Sequence, residues 1–102
     1  DYTNAYGNLG NAYWAAHRFE EAVELHQKVI RRKPHDAGAY NNLGTVYFDM
    51  GELEKAERLF RKVLEIHPTH ATAVNNLGLI YYERGDYGQA GAALQVPRRN
   101  ST

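Results

Sequence analysis

A chain of 102 residues has room for one domain, and a compact globule of that size sits at the marginal end of core burial. Its 12 basic and 12 acidic residues cancel, which removes the electrostatic case for nucleic acid or an anionic membrane surface as partner. With no cysteine there is neither a disulfide framework nor a thiolate metal site, and no apolar run approaches the length of a membrane span. The opening Asp1-Tyr2-Thr3 has no basic region followed by an apolar one, and a start without Met is expected of a fragment or a processed chain. A cytoplasmic location is the default expectation.

From Asn4 to Ala16, the residues Tyr6, Leu9, Gly10 and Tyr13 recur at i, i+3, i+4 and i+7, the spacing of one buried helical face. His17-Arg18-Phe19 interrupts the pattern. A second helix is predicted from Glu20 to Lys33, with Ala22, Leu25, His26, Val29 and Ile30 as its inward stripe, and Pro34 ends it. Arg31-Arg32-Lys33 at that end complements the helix dipole. The next helix presents Tyr40, Leu43, Gly44 and Tyr47, and Met50-Gly51-Glu52 makes a turn. Its partner presents Ala56, Leu59, Phe60, Val63 and Leu64 before His67-Pro68 stops it. Val74, Leu77, Gly78 and Tyr81 form a fifth stripe, followed by Arg84-Gly85-Asp86 with Asp86 placed as an N-cap. A sixth helix is weak, because Gly88 and Gly91 each cost about 1 kcal/mol relative to Ala, and Pro97 ends it early.

These stripes are copies of one another. Asn8-Leu9-Gly10 with Tyr13, Asn42-Leu43-Gly44 with Tyr47, and Asn76-Leu77-Gly78 with Tyr81 lie 34 residues apart, and such a fixed period signals stacked repeats. The expected architecture is an all-α solenoid of antiparallel helix pairs forming a single domain. Its repeats are placed at 3–36, 37–70 and 71–96, with a flexible tail over 97–102. Gly10, Gly44 and Gly78 on the first helix of each pair, and Ala22, Ala56 and Ala90 on the second, are small residues that let paired axes approach closely.

The pattern Tyr6, Leu9, Gly10, Tyr13, Ala22, Pro34, repeated as Tyr40, Leu43, Gly44, Tyr47, Gly51, Ala56, Phe60, Pro68, resembles the tetratricopeptide repeat. The resemblance covers residues 3–96. It implies a right-handed superhelix whose first, or A, helices line a concave groove, and a non-enzymatic protein-interaction scaffold. Departures are His17 where the other units have Gly51 and Gly85, and His26 where the family favours a large apolar residue.

On that implication the groove face comprises Asn4, Gly7, Asn8, Asn11, Trp14 and Ala15. It continues with Gly38, Asn41, Asn42, Thr45, Phe48 and Asp49, and then with Thr72, Asn75, Asn76, Leu79, Tyr82 and Glu83. Asn8, Asn42 and Asn76 make a ladder of one rung per repeat. A primary amide carries two donors and an acceptor, so each rung suits the C=O and N–H of a ligand peptide whatever its side chains. Trp14, Phe48 and Tyr82 run parallel as apolar shelves for ligand side chains, or as ordinary packing between A helices. Asp49 and Glu83 make the groove edge acidic, so an extended, neutral or basic peptide is the expected partner.

The family subclass that clamps a C-terminal carboxylate is disfavoured, because Asn4, Thr72 and Asn76 stand where it carries basic side chains. The Asn ladder is similar instead to the repeat region of O-linked GlcNAc transferases, which holds extended polypeptide. No cofactor, metal site or catalytic constellation is expected. His35, His67 and His70 have no carboxylate or cysteine at ligand spacing, and no nucleophile–base pair or phosphate loop stands out. The competing reading is a structural module that self-associates or docks through its end faces, with Leu79, Ile80 and Leu94 as an uncovered apolar end.

Overall fold

The computed structural model describes residues 2–85. Five helices follow one another: α1 (Tyr2–Ala15), α2 (Phe19–Arg32), α3 (Ala37–Asp49), α4 (Leu53–Ile66) and α5 (Ala71–Glu83). No strand occurs among the described residues. The expected sixth helix, with Asp86, Ala90 and Pro97, lies outside them, as does the tail. The chain is an all-α helical solenoid. α1 packs most extensively on α2 and α3 on α4, while α2 also meets α3 and α4 meets α5. α1 touches α3 and α3 touches α5, whereas α2 and α4 do not meet. The A helices α1, α3 and α5 therefore converge on the inner side of the curve, and the B helices α2 and α4 splay on the outer side.

The B-helix stripes are buried where the 3.6-residue period puts them, at Ala22, His26 and Val29 in α2 and at Ala56, Phe60 and Val63 in α4. Leu25, Ile30, Leu59 and Leu64 are half-buried at the margins. The A helices differ from expectation. α3 buries Ala39 and Val46 with Leu43 and Gly44, and leaves Tyr40 and Tyr47 half-buried, because it has neighbours on several sides rather than one. The tyrosine rings are covered by cations of the B helices instead. Lys62 Nζ stands 5.9 Å from the Tyr40 ring centre and Lys55 Nζ 5.3 Å from that of Tyr47, so the lysine stems shield the rings.

Gly10 of α1 and Gly44 of α3 each face a ring. A Cβ on Gly44 would stand 2.8 Å from Phe60 Cε1, and one on Gly10 would stand 2.9 Å from His26 Cε1 and Nε2. The close approach is thus glycine against the ring four residues after the small Ala, not glycine against Ala22 or Ala56. Leu43 and Leu77 are each 4 % exposed, with a preceding helix pair to cover them. Leu9 at the equivalent position is 47 % exposed, since no described helix precedes α1.

The turns obey the sequence punctuation. Arg18 N–H donates to the Tyr13 carbonyl at 2.8 Å and Glu52 N–H to the Tyr47 carbonyl at 2.9 Å, closing α1 and α3 around residues with positive φ. Those residues are His17 at 62° and Gly51 at 82°, with Gly85 at 77° after α5. A left-handed backbone strains any residue with a Cβ, so His17→Gly is expected to raise stability by about 0.5–1 kcal/mol after the entropy of glycine in the unfolded chain is counted. Urea unfolding checks this, and an earlier midpoint for the variant would show that the His17 ring, 5.4 Å from that of Phe19, contributes more than the strain costs. At the helix starts, Asp36 Oδ1 accepts from Ala39 N–H at 3.3 Å and His70 Nδ1 from Ala73 N–H at 3.2 Å.

Sequence spacing did not reveal the link between α4 and α5. Glu57 accepts from Arg61 Nη2 and Arg84 Nη2, each at 2.7 Å, and from the Tyr81 hydroxyl at 3.1 Å, while Arg61 also meets that hydroxyl. Partial burial pushes the Glu57 carboxyl up, but the hydrogen bonds from Arg61, Arg84 and Tyr81 together hold it below its ordinary value. A carboxylate whose pKa is depressed by folding contributes stability that is present above its unfolded value and lost as pH falls through the folded one. Glu57→Gln is therefore expected to cost about 1 kcal/mol at neutral pH, because Arg61 and Arg84 are partly solvated, and to cost nothing in strong acid. Thermal unfolding at pH 7 and pH 3 reads the difference, and an equal loss at both would mean that charge plays no part.

Candidate functional site

The inner face of the A helices carries two contiguous clefts. The first, about 260 Å³, is walled by Asn4, Gly7, Asn8 and Asn11 of α1 and by Gly38, Ala39 and Asn42 of α3. Thr3, Asp36, His26 and Val29 complete it. The second, about 220 Å³, continues past Asn11 and Asn42 to Trp14, Thr45 and Val46. Asn11 and Asn42 line both. This arrangement follows from the helical period, because Asn4, Asn8 and Asn11 share one face of α1 and Gly38, Asn42 and Thr45 share the matching face of α3.

Of the predicted site residues, Asn8, Asn11, Asn42, Thr45 and Trp14 are brought together. Thr45 is partly committed, its hydroxyl donating to the Asn41 carbonyl at 3.0 Å. Trp14 and Asp49 are joined directly, with Trp14 Nε1 donating to Asp49 Oδ2 at 2.6 Å. That bond crosses from the first repeat to the second and engages the carboxylate expected to stand free at the groove edge. Beyond it, Trp14, Ala15, His17, Phe19 and Asp49 enclose a larger opening of about 520 Å³.

Asn41 stands outside these clefts, with its Oδ1 buried and without a protein hydrogen-bond partner. Phe48 is half-buried against the core cluster of Ala56, Phe60, Val63, Ala73, Leu77, Ile80 and Tyr81, so it packs between helices rather than forming a ligand shelf. Asn75, Tyr82 and Glu83 are exposed on α5, and Asn76 is half-buried beyond the two clefts. The end face is also redrawn. Ile80 is fully buried, and Leu79, in register with Asn11 and Thr45, is exposed. Leu94 lies outside the described residues.

Sequence reasoning left out His26, Thr3 and Asp36. His26 is 1 % exposed and neither ring nitrogen has a protein partner. Burial pushes its pKa down, so the ring is held neutral. Thr3 is buried and its hydroxyl accepts from Arg32 Nε at 3.0 Å. The departure of His26 from the apolar residue at the same place in the next repeat, Phe60, was the signal available for it. No group of His, Cys, Asp and Glu among the described residues is placed to hold a metal ion. No described helix is long and apolar enough to cross a membrane.

Two family models match the chain, one described as tetratricopeptide repeat over residues 35–95 and one as TPR repeat over residues 10–51. Two solved structures, titled as crystal structures of MamA and of MamA protein, superpose on it with TM-scores of 0.88 and 0.86 at 31 % and 30 % identity. They cover 91 % and 95 % of this chain, which in turn spans 54 % and 53 % of theirs. Among curated protein sequences none matches.

Proposed function

Because the chain belongs to the tetratricopeptide repeat family, a non-enzymatic protein-interaction fold, we propose that its inner face binds an extended segment of a partner protein. The observation that carries this reading is the pair of contiguous clefts to which Asn8, Asn11 and Asn42 contribute side-chain amides from the facing sides of α1 and α3. Neighbouring helix axes lie about 8–10 Å apart. An extended chain advances about 3.3–3.6 Å per residue, so the rungs meet a ligand backbone at roughly every third peptide. With Asn76 as a third rung, a bound segment of seven to nine residues is expected, by the same estimate of about 3.3–3.6 Å each.

An amide that bonds backbone reads no sequence. Asn42→Ala is therefore expected to weaken every peptide by a similar amount, about 1 kcal/mol or roughly fivefold, without changing stability. The test is fluorescence anisotropy of the two proteins with a panel of unrelated labelled nonapeptides. Equal affinities for both proteins, with Asn42→Ala still folded, would reduce the ladder to a solvated face. A second reading, association through end faces, is favoured only by the exposure of Leu9 on α1. Sedimentation that stays monomeric at high concentration removes it.

A further inference from the structure

The cleft between α1 and α3 has a polar floor that the second repeat does not reproduce. At the place where Phe60 fills the space beneath Gly44, the first repeat puts His26 beneath Gly10, and the imidazole lines the cleft. Both ring nitrogens are shielded from bulk solvent and without a protein hydrogen bond, in a molecule whose buried polar groups are otherwise expected to be paired. The χ2 torsion of histidine is broad and two-fold, so its torsional preference does not fix which edge of the ring meets the cleft.

The rest of the lining selects the occupant. Asp36 contributes a carboxylate of which Oδ1 caps α3, leaving Oδ2 without a described partner, and Asn8, Asn11 and Asn42 contribute side-chain amides, each with an oxygen able to accept. No lysine or arginine lines this cleft, and Arg32, which bonds Thr3 from outside it, is drawn over the Tyr6 ring at 5.8 Å. A carboxylate or phosphate entering here meets the Asp36 carboxylate with no cation in the lining itself, and an apolar group leaves the imidazole unpaired. An ammonium or guanidinium brings only donors and positive charge, which match the carboxylate, the amide oxygens and the one acceptor nitrogen of a neutral imidazole. At about 260 Å³ the space is smaller than the 300–1,000 Å³ of small-molecule pockets and suits a single side chain.

We propose that this cleft is a subsite for one lysine or arginine side chain of the bound segment, with His26 accepting at its floor and Asp36 supplying the charge. The proposal rests on the groove reading above and gives it a sequence preference at one position.

The probes are nonapeptides of alternating Ser and Gly, acetylated and amidated, carrying Lys, Gln, Glu or norleucine at the centre. Their binding is followed by NMR through the His26 ring resonances and the Asn42 side-chain amide. Lys is expected to bind about tenfold tighter than Gln and to outrank Glu further, with the His26 ring shifting only for Lys. Asp36→Asn keeps an N-cap side chain while removing the charge, and His26→Phe restores the residue type of the second repeat. Each is expected to shrink the Lys preference without abolishing binding of the Gln peptide.

If Lys and Gln bind alike while the Asn42 amide responds to both, the ladder stands and the subsite falls, with the His26 nitrogens satisfied by solvent. If no peptide moves either probe, the groove reading fails and the subsite with it. An unaltered Lys preference in both variants also overturns the assignment, because neither named group then contributes.

Discussion

Phe60→Ala is expected to lower stability by about 3–5 kcal/mol, a large share of the 5–15 kcal/mol typical of a folded domain. The ring is fully buried and sits in the cluster that joins α4 to α5 while covering Gly44 of α3, so its loss opens a cavity touching three helices. Gly44→Ala tests the same contact from the other side. The added Cβ would stand 2.8 Å from Phe60 Cε1 and 2.9 Å from Cζ, and a ring with no exposed surface has little room to withdraw. Overpacking of that kind costs about 1–3 kcal/mol, against which alanine returns about 1 kcal/mol of helix preference. In the Phe60→Ala background the obstruction is gone and only the helix preference remains, so Gly44→Ala should change sign and stabilise. Urea unfolding of the four proteins measures the coupling. Strictly additive effects would mean that the ring moves aside without cost, and that glycine is not required by the approach of the helices.

His26→Phe is expected to stabilise the protein by about 1–3 kcal/mol at pH 7, because it removes two buried polar nitrogens that lack protein partners and fills the space as Phe60 does beneath Gly44. The effect should grow in acid. Burial lowers the pKa of His26 from its ordinary 6.5, so below that value the unfolded chain takes up a proton that the folded chain resists. The wild type therefore loses stability as pH falls below 6.5, and His26→Phe lacks that loss. The loss sets in at higher pH than the one set by Glu57, whose contribution is lost only below its ordinary 4.5, so the two onsets are distinguishable in one series of unfolding curves. A variant no more stable than the wild type at pH 7 would show that the imidazole is fully hydrogen-bonded in solution. A gain in stability that is accompanied by loss of the lysine preference would instead mark His26 as a residue kept for binding at a cost in folding.

Helix pairs, their turns and their order were legible because each depends on residues a few positions apart. The 34-residue recurrence of Asn-Leu-Gly with Tyr, the prolines at 34 and 68, and the glycines at 51 and 85 locate the described helices and their turns, and the bounds expected for the first two fall within two residues of α1 and α2. Even the left-handed backbone at His17 follows from its register with Gly51 and Gly85. That Asn8 and Asn11 share one face of α1 and Asn42 and Thr45 one face of α3 is legible for the same reason, since a shared helical face is a property of spacing alone, whereas Asn41 lies outside the clefts.

What spacing cannot carry is which neighbour a given face meets. Leu9, Leu43 and Leu77 occupy one position of the repeat, yet Leu9 is exposed and the other two are buried, because burial depends on whether another helix pair has stacked there. Trp14 with Asp49, and Glu57 with Arg61, Tyr81 and Arg84, are decided by ångström-scale geometry between helices, as hydrogen bonds require, and the sequence pattern of any one repeat contains none of it. His26 belongs to both levels. Its departure from the repeat is visible in the sequence, but only the packing of Gly10 above it and the cleft beside it turns that departure into a neutral, unpaired imidazole facing the groove.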